Sequence, residues 1–427
     1  MLKLIETFSG IGSQVQAMKN SNIEHKVVAT VEWEIGAIYA YDIMHNGKQD
    51  LRAYRHHTKE SLIAILEQYN LSSDGKNVLT SRALSSMSVE LLKAVLCAID
   101  RTNNLVDIKS VKADELPEAD ILTYSFPCQD LSVSGHWHNQ TLGIARDANN
   151  RSTLLWEIER LLIEYEASEK SLPRYLLMEN VSNILSKKHI GNFREWLSFL
   201  ESLGYYNQVY TLNAKDFGIP QTRVRTYLIS VLVEDDIDKR QGVEEYFYLN
   251  NLTNITLPPH KCQPLEKFLR LDYSHEVYKM EALESTPSFT KSREKIFNLN
   301  RPLAFGKKVV ENEYARTITT KQDRHPNSGI IKYGKDYLTE KNKYYRNLTP
   351  RECFLLMGFE EEQFDRLLKN NFVVRKNSNI LSQGKLIQLA GNSIVVPVLQ
   401  AIFNQISEID ESIFKKKQKV INEKVII

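Results

Sequence analysis

Cysteines and long apolar runs are scarce in this sequence. The four cysteines, Cys97, Cys128, Cys262 and Cys353, are widely separated and form no CxxC pair, so they support neither a disulfide framework nor a zinc site. No uninterrupted apolar run approaches the ~20 residues that a membrane helix requires, and residues 1–6 lack the pattern of a signal peptide. These absences predict a cytoplasmic protein with reduced thiols, no metal and no membrane partner.

The composition excludes a disordered or fibrous chain, since 42% of the 427 residues are hydrophobic and 9% are aromatic. The length favours two domains over one. The net charge of +2 is unevenly distributed, because residues 286–350 contain 14 Lys and Arg against 6 Asp and Glu. Such a basic stretch indicates a polyanion-binding face, with an ordinary solvated surface as the alternative.

Short apolar segments alternate with helical periodicity through the first half of the chain. The patterns predict strands at residues 2–8, 27–31, 120–124, 174–178 and 226–233, and helices at 14–20, 152–166 and 191–203. This order predicts an α/β fold with a doubly wound, mostly parallel sheet, in which ligands bind at the carboxyl ends of the strands. A strand-to-helix pattern resumes at residues 387–392, and a helix is predicted at 396–406.

Two regions interrupt the alternation. We interpret residues 45–106 as an insertion, which forms either a lid or DNA-facing arm, or a helical pair packed on the sheet. Residues 252–382 have little periodicity, many turn residues and the basic stretch, so we predict a second, smaller, irregular domain there. We therefore assign residues 1–251 to a first domain, to which residues 383–427 return, ending in a basic tail.

The first unusual cluster follows the first predicted strand. Residues 8–12 read Phe-Ser-Gly-Ile-Gly and open a helix, a pattern that lets a ligand approach the backbone, although such a turn is also a packing solution. Glu32 ends the next strand, where a carboxylate fits ribose hydroxyls, and Trp33 is placed to cover a purine. Together they predict an adenosine-containing cofactor, and the missing GxGxxG disfavours a nicotinamide one.

Candidate catalytic residues end the later strands. Cys128 lies in a turn after a buried strand, where a thiolate nucleophile is exposed, although a free cysteine is more often a small buried residue. Glu179 follows an apolar run, which favours a raised pKa and a hydrogen bond to a substrate nitrogen, with a salt-bridged or helix-capping glutamate as the alternative. Arg223 and Arg225 share one face of a strand, where they suit a planar acceptor or a phosphate, or are merely exposed charges.

Six segments in chain order resemble the motif set of the DNA (cytosine-5)-methyltransferases, especially the bacterial and mollicute restriction-modification type methylases. They are residues 8–12, 32–33, 125–129, 179–181, 221–225 and 388–393, and residues 348–359 resemble the penultimate motif of that family. The resemblance extends from residue 2 to about residue 406. It implies the S-adenosylmethionine-dependent methyltransferase fold, a first domain that is catalytic and a second domain, 252–382, that recognises the DNA target.

The resemblance also implies a mechanism. Cys128 would attack carbon 6 of a flipped cytosine, while Glu179 contacts the ring nitrogen and the exocyclic amine. Arg225 would hold the carbonyl oxygen of the base, and Arg223 would assist nearby. The methyl group would come from S-adenosylmethionine, leaving S-adenosylhomocysteine, and elimination of the carbon-5 proton would free the thiol.

The resemblance implies further site residues, because they match contact positions of the family. The cofactor-contact positions are Phe8, Gly10, Gly12, Glu32, Trp33, Asp107, Ile108, Pro127 and Asn392. The implied DNA contacts are Gln129, Ser132 and Ser134 in the loop after the nucleophile, and Lys291, Arg293, Arg316, Thr319, Lys321 and Arg324 in the second domain. Residues 135–139, Gly-His-Trp-His-Asn, depart from the Gly/Lys-rich continuation usual in the family, and a zinc role for the two histidines is disfavoured because no cysteine is near.

The implied partners are double-stranded DNA, bound by a monomer, and a restriction endonuclease that acts on the same sites. Three alternatives remain open: a tRNA cytosine-5 methyltransferase of the same family, a catalytically silent DNA-binding homologue, and a methyltransferase of another substrate. Retention of Cys128, Glu179 and Arg225 disfavours the silent homologue.

Overall fold

The central sheet carries the predicted strands and one more. A computed structural model describes residues 1–127, 131, 144–146, 151–255, 263–333, 344–375 and 378–415. The strands up to residue 232 are β1 (Leu2–Thr7), β2 (His25–Val31), β3 (Ile121–Tyr124), β4 (Tyr175–Val181), β5 (Tyr205–Asn213), β6 (Gln221–Thr222) and β7 (Val224–Leu232). The sheet order is β2-β1-β3-β4-β7-β5, in which the first four strands are parallel and β7 is antiparallel to both neighbours. The α/β fold class is confirmed; β7, which runs antiparallel to both of its neighbours, makes the sheet mixed, and β5 is the strand that was not predicted.

Helices cover both faces of this sheet. Along the described chain the α-helices are α1 (Ser13–Asn20), α2 (Ile35–Asn46), α3 (Lys59–Leu66), α4 (Ser81–Ser85), α5 (Val89–Thr102), α6 (Leu155–Ala167), α7 (Ile190–Ser202), α8 (Ile237–Leu249), α9 (Glu276–Glu284), α10 (Lys291–Leu299), α11 (Pro350–Leu356), α12 (Glu361–Asn370), α13 (Gln383–Asn392) and α14 (Val396–Ile409). Because side chains alternate along a strand, Leu177 of β4 packs with α1, α2 and α14 while Leu176 packs with α6 and α7.

The insertion at residues 45–106 forms a helical layer beside the edge of the sheet. Its helices α3 and α5 pack against each other, and α5 also packs on α2 and contacts β2. Their buried side chains, among them Leu62 and Leu92, form a cluster that Ile35 and Ile38 of α2 join. This arrangement matches the helical-pair alternative.

The region predicted as the second domain contains a small sheet of its own. Its strands are β8 (Pro302–Phe305), β9 (Lys308–Val309), β11 (Ile330–Lys332) and β12 (Tyr345–Asn347), in the order β12-β11-β8-β9, and β13 (Val373–Arg375) pairs with β14 (Ser378–Asn379). Strand β10 (Ala315–Arg316) instead pairs in parallel with β6 of the first domain. Leu303 and Ile331 belong to the same hydrophobic cluster as one face of the central sheet.

A buried ion pair ties this small sheet to α11. Arg346 on β12 donates two hydrogen bonds of 2.8 Å to the carboxylate of Glu352, and both side chains are fully buried. The backbone N–H of Thr349, the residue that caps α11, also donates to Glu352. Loss of one partner would leave a buried charge uncompensated, at a cost of roughly 3–5 kcal/mol.

The C-terminal helices return to the main core. Within the described ranges, Gln383–Lys415 is long and apolar enough, by length and composition, to cross a membrane, but 61% of its apolar window is buried inside the protein. Its helix α14 packs against α1, as a core helix does. The predicted strand start at residues 387–392 is wrong, because these residues lie within α13, whose first turn is capped by the Ser382 side chain.

Candidate active site

The glycine turn between β1 and α1 requires its glycines. Phe8, Gly10 and Gly12 all have positive φ, of 54°, 54° and 78°. A Cβ on Gly12 would lie 2.3 Å from Nε2 of His45 and 2.7 Å from Cε2 of Tyr41. A Cβ on Gly10 would meet nothing within 4 Å, so the turn is packed tightly on its inner side and open beside Gly10.

Hydrogen bonds from buried polar side chains hold the turn and the start of α1 in place. Glu6, fully buried at the end of β1, accepts hydrogen bonds from Val15 N–H (3.0 Å) and from the Tyr41 hydroxyl. Burial raises the pKa of Glu6 to about 7. His45 Nε2 lies 2.9 Å from the Ile11 carbonyl oxygen, and burial lowers its pKa to about 3, so its neutral ring donates to that carbonyl.

Glu32 is brought to the same turn. Its carboxylate accepts hydrogen bonds from the N–H groups of Gly10 (3.0 Å), Trp33 (2.9 Å) and Glu34 (2.9 Å). The half-buried Trp33 lies against the hydrophobic cluster of the insertion. Burial raises the pKa of Glu32 to about 7. The structure thus brings five predicted cofactor positions together around one turn.

The other predicted cofactor positions make contacts with other parts of the chain. The Asp107 carboxylate accepts a hydrogen bond of 2.9 Å from Asn70, and Ile108 is buried. The Pro127 carbonyl accepts one from the Ser152 hydroxyl at 2.9 Å. Asn392 is exposed at the end of α13. Two residues later, Ile394 N–H donates to the Ser13 hydroxyl at 3.3 Å, which joins the end of α13 to the start of α1.

Glu179 and Arg225 form an ion pair near the carboxyl end of β4. Glu179 lies on β4 and Arg225 on the antiparallel neighbour β7, and their Oε1 and Nε atoms are 3.2 Å apart. Their side chains are only 13% and 15% exposed, and burial raises the pKa of Glu179 although Arg225 opposes that rise. Gln14 of α1 and Ser125 after β3 line the same narrow cleft as Glu179, so the carboxylate and the glycine-turn helix border one cleft.

Cys128 and the loop residues Gln129, Ser132 and Ser134, like the histidines at 136 and 138, lie outside the described residues. The segments that flank Cys128 are nevertheless anchored beside Glu179. Buried Asn180 donates to the Phe126 carbonyl oxygen at 3.1 Å, and Asn183 donates to that of Leu131 at 2.6 Å. Neither asparagine was predicted as a site residue from the sequence, although Asn180 stands directly after Glu179 in the motif at residues 179–181.

Arg223 is directed away from Arg225, into the protein. It is 4% exposed and donates to the carbonyl oxygens of Ile318 (2.8 Å), Ser393 (2.7 Å) and Gly391 (3.1 Å). These bonds join β6–β7, the segment after β10 and the end of α13. The guanidinium therefore holds three parts of the chain together next to the Glu179–Arg225 pair.

Residues 315–320, which contain the implied DNA contacts Arg316 and Thr319, are docked on Gln221 and Thr222 of β6. Beyond the β10–β6 pairing, Ile318 N–H donates to the buried Gln221 side chain at 2.9 Å, and the Thr317 hydroxyl donates to the Thr222 carbonyl at 2.9 Å. A Cβ on Gly391 would lie 2.5 Å from backbone atoms of Thr319 and Thr320. Gln221 appears in the sequence motif, but only the structure reveals that it links the two domains.

The remaining predicted DNA contacts are at the surface of the basic region. Lys291, Lys321 and Arg324 are exposed, whereas Arg293, Arg316 and Thr319 are half-buried. Arg293 donates to the Ser288 carbonyl at 3.0 Å, and the Thr319 hydroxyl donates to that of Lys321 at 2.7 Å. Local hydrogen bonds thus hold two of the six side chains.

Comparison with known proteins identifies the family to which the chain belongs. The model of the C-5 cytosine-specific DNA methylase family matches residues 71–408. The chain is 32% identical over 408 residues to the type II methyltransferase M2.ScrFI of Lactococcus lactis subsp. cremoris, covering 95% of this chain and 99% of that protein. It is also 32% identical over 416 residues to the orphan methyltransferase M.SssI of Spiroplasma monobiae, covering 95% and 97%.

Solved structures show the same fold at lower identity. The Dnmt2 methyltransferase of S. pombe superposes with a TM-score of 0.56 and 18% identity, over 96% of this chain and 99% of that one. The methyltransferase EhMeth of Entamoeba histolytica gives 0.52 and 15%, over 96% and 98%. The family match over most of the chain establishes that this protein belongs to the C-5 cytosine-specific DNA methylases and is a DNA cytosine-5 methyltransferase.

Proposed function

We propose that this enzyme methylates a flipped cytosine in double-stranded DNA through a covalent Cys128 adduct, with S-adenosylmethionine as the donor. The observation that carries the proposal is the anchoring of both flanks of Cys128, by Asn180 and Asn183, beside the Glu179–Arg225 pair. Attack on a pyrimidine ring requires a nucleophile, which Cys128 would supply, together with an acid and a donor that hold the ring, which Glu179 and Arg225 would supply.

In the proposed reaction the Cys128 thiolate bonds to carbon 6 of cytosine. Glu179 contacts the ring nitrogen and the exocyclic amine. Its raised pKa favours the protonated carboxyl, which can donate a hydrogen bond to the ring nitrogen. Arg225 holds the carbonyl oxygen of the base. Carbon 5, made nucleophilic by the adduct, takes the methyl group, and loss of its proton with cleavage of the bond between sulfur and carbon 6 regenerates the thiolate. The base must leave the stack for any of these contacts.

S-adenosylmethionine supplies the methyl group when bound. The open space beside Gly10, the α1 N-terminus and the half-buried Glu32 fit its amino-acid and ribose parts. Trp33, Asp107 and Ile108 are the residues that would hold its adenine, and Phe8, Gly12, Pro127 and Asn392 complete the proposed site. Arg223 is a positioning residue in this scheme, since its donors bind backbone carbonyls.

The DNA-binding face is proposed from charge and position. Residues 252–382 form the target-recognition domain, and its exposed Lys291, Lys321 and Arg324 meet the duplex together with Arg293, Arg316 and Thr319. Gln129, Ser132 and Ser134 would contact the DNA from the loop after the nucleophile. We place the protein in the bacterial cytoplasm on chromosomal DNA, as a monomer.

Pairing with a restriction endonuclease is part of the proposal, since one relative is a type II methyltransferase, while the other is an orphan one. Bisulfite sequencing of a plasmid from an expressing strain tests the proposed function directly. We expect protection of cytosines within one short sequence, abolished by Cys128→Ser. Methyl transfer to tRNA but not to DNA would support the tRNA alternative, and transfer to neither would contradict the proposal.

A further inference from the structure

The side chain of Asn104 holds the backbone of Glu32 on both sides. Asn104 is 4% exposed. Its Nδ2 donates to the Glu32 carbonyl oxygen at 2.9 Å, and its Oδ1 accepts from the Glu32 N–H at 3.0 Å. The same Oδ1 accepts from Val106 N–H at 3.0 Å, which fixes the orientation of the amide. One amide thus satisfies both polar backbone groups of the residue predicted to take the ribose.

This contact continues a short parallel pairing at the edge of the central sheet. Thr30 N–H donates to the Asn103 carbonyl at 3.3 Å, and Leu105 N–H donates to the Thr30 carbonyl at 2.9 Å. Beyond Thr30 the two backbones no longer bond. The Asn104 side chain, which carries the same donor and acceptor as a peptide group, therefore replaces the next pair of the ladder.

The insertion secures the other side of the same segment. Ser72, fully buried, donates its N–H to the Trp33 carbonyl at 2.7 Å and accepts from Ile35 N–H at 2.9 Å. Glu32 and Trp33 are consequently held between Asn104 and the backbone of Ser72. Both holding residues belong to the segment 45–106, whose contribution to the site the sequence left open.

We infer that Asn104 is a positioning residue for the methyl donor, acting on its ribose through Glu32; this rests on the proposed function. Without the amide, the Glu32 backbone loses two hydrogen bonds, so the end of the strand that sets its carboxylate against the Gly10 N–H is held less firmly. Among the described residues, the Asn104 side chain bonds to Glu32 and Val106 and not to the Glu179–Arg225 pair, so donor affinity changes while turnover at saturating donor does not.

The test measures binding of S-adenosylhomocysteine to the full-length chain by calorimetry. We expect Asn104→Ala to weaken binding about tenfold, the equivalent of roughly one hydrogen bond, and to raise the KM for S-adenosylmethionine while kcat is retained. Asn104→Asp keeps the acceptor but sets a carboxylate against the Glu32 carbonyl, so it weakens binding as well and serves if the alanine variant does not fold.

The control is Asn103→Gly. Asn103 donates to the Val28 carbonyl at 2.8 Å and has a positive φ that glycine also adopts, so this variant removes a neighbouring amide without touching Glu32. It should bind S-adenosylhomocysteine as the wild type does.

A second ligand separates positioning from general damage. An analogue of S-adenosylhomocysteine that lacks both ribose hydroxyls cannot use Glu32, so it should bind the wild type and Asn104→Ala equally. An equal loss for both ligands, or wild-type affinity in both Asn104 variants, would overturn the inference alone. Failure of the wild type to bind S-adenosylhomocysteine would instead overturn the proposed function, and the inference with it.

Discussion

Glu179 and Arg225 face each other across antiparallel strands, with the carboxylate oxygen and the guanidinium Nε 3.2 Å apart and both side chains largely buried. Two effects on the pKa of Glu179 oppose each other: Arg225 stabilises the charged carboxylate, while burial favours the neutral carboxyl. A planar base that enters here would meet an acid and a fixed donor side by side. That arrangement gives each of the two residues a separate testable consequence.

Replacement of Glu179 by Gln should lower turnover by roughly 10²- to 10⁴-fold, the usual loss when a general acid is removed. The shape of the side chain is nearly unchanged and its amide oxygen can still accept from Arg225, although the ion pair is lost, so the thermal midpoint should fall only modestly. Methyl transfer to DNA under single-turnover conditions measures the effect. Turnover within a few-fold of wild type would remove Glu179 from the chemistry.

Replacement of Arg223 should mainly lower stability, whereas replacement of Arg225 should mainly lower turnover. Arg223→Gln leaves three buried carbonyls short of their charged donor and should lower the free energy of unfolding by about 3 kcal/mol. Arg225→Gln should cost turnover with a smaller loss of stability. Denaturant titration and a methylation assay on both variants check this, and the reverse pattern would contradict the separation of roles.

Two glycines of α13 form a matched pair. Gly391→Ala should destabilise the protein by about 1–3 kcal/mol and weaken DNA binding, because its Cβ would displace the backbone of Thr319 and Thr320. Gly384→Ala meets nothing within 4 Å and should leave stability unchanged or raise it by up to about 1 kcal/mol. Thermal denaturation and DNA titration of both variants provide the comparison, and equal behaviour would show that the docking of residues 315–320 is unimportant.

Donor affinity should depend on pH through Glu32. Its pKa in the free protein is about 7, so below that pH the carboxyl must lose a proton before it accepts hydrogen bonds from ribose hydroxyls. Binding of S-adenosylhomocysteine should therefore strengthen about tenfold between pH 6 and pH 8 and then level off. In Glu32→Gln the binding should be weaker and this rise should vanish; a rise that persists in the variant belongs to another group.

The sequence predicted most of the sheet and the residues at its strand ends, because buried strands are short apolar runs and the motif residues follow them directly. Strand β5 was missed, since its first six residues, Tyr-Tyr-Asn-Gln-Val-Tyr, include a single aliphatic side chain, and the middle four of them are only partly buried. Residues 387–392 were misread as a strand start because a short apolar run does not distinguish a strand from a buried helical turn.

The parts of the site that the sequence did not predict are long-range hydrogen bonds from side chains to backbone. Asn104 holds a residue 72 positions away, and Asn180 one 54 positions away. No local pattern marks such an asparagine, because its partner is a backbone group that any residue carries. Arg223 shows the same limit: its spacing to Arg225 predicted a shared face, yet its donors bind three carbonyls elsewhere in the chain.

The most direct test of the proposed chemistry is covalent trapping on DNA that contains 5-fluorocytosine. Fluorine replaces the carbon-5 proton whose loss frees the thiol, so the adduct persists after methyl transfer. With S-adenosylmethionine present, we predict a denaturation-resistant complex with the wild type, a peptide map that places the base on Cys128, and no complex with Cys128→Ser. An equal yield of complex with Cys128→Ser, or none with an active wild type, would contradict the assignment of Cys128 as the nucleophile.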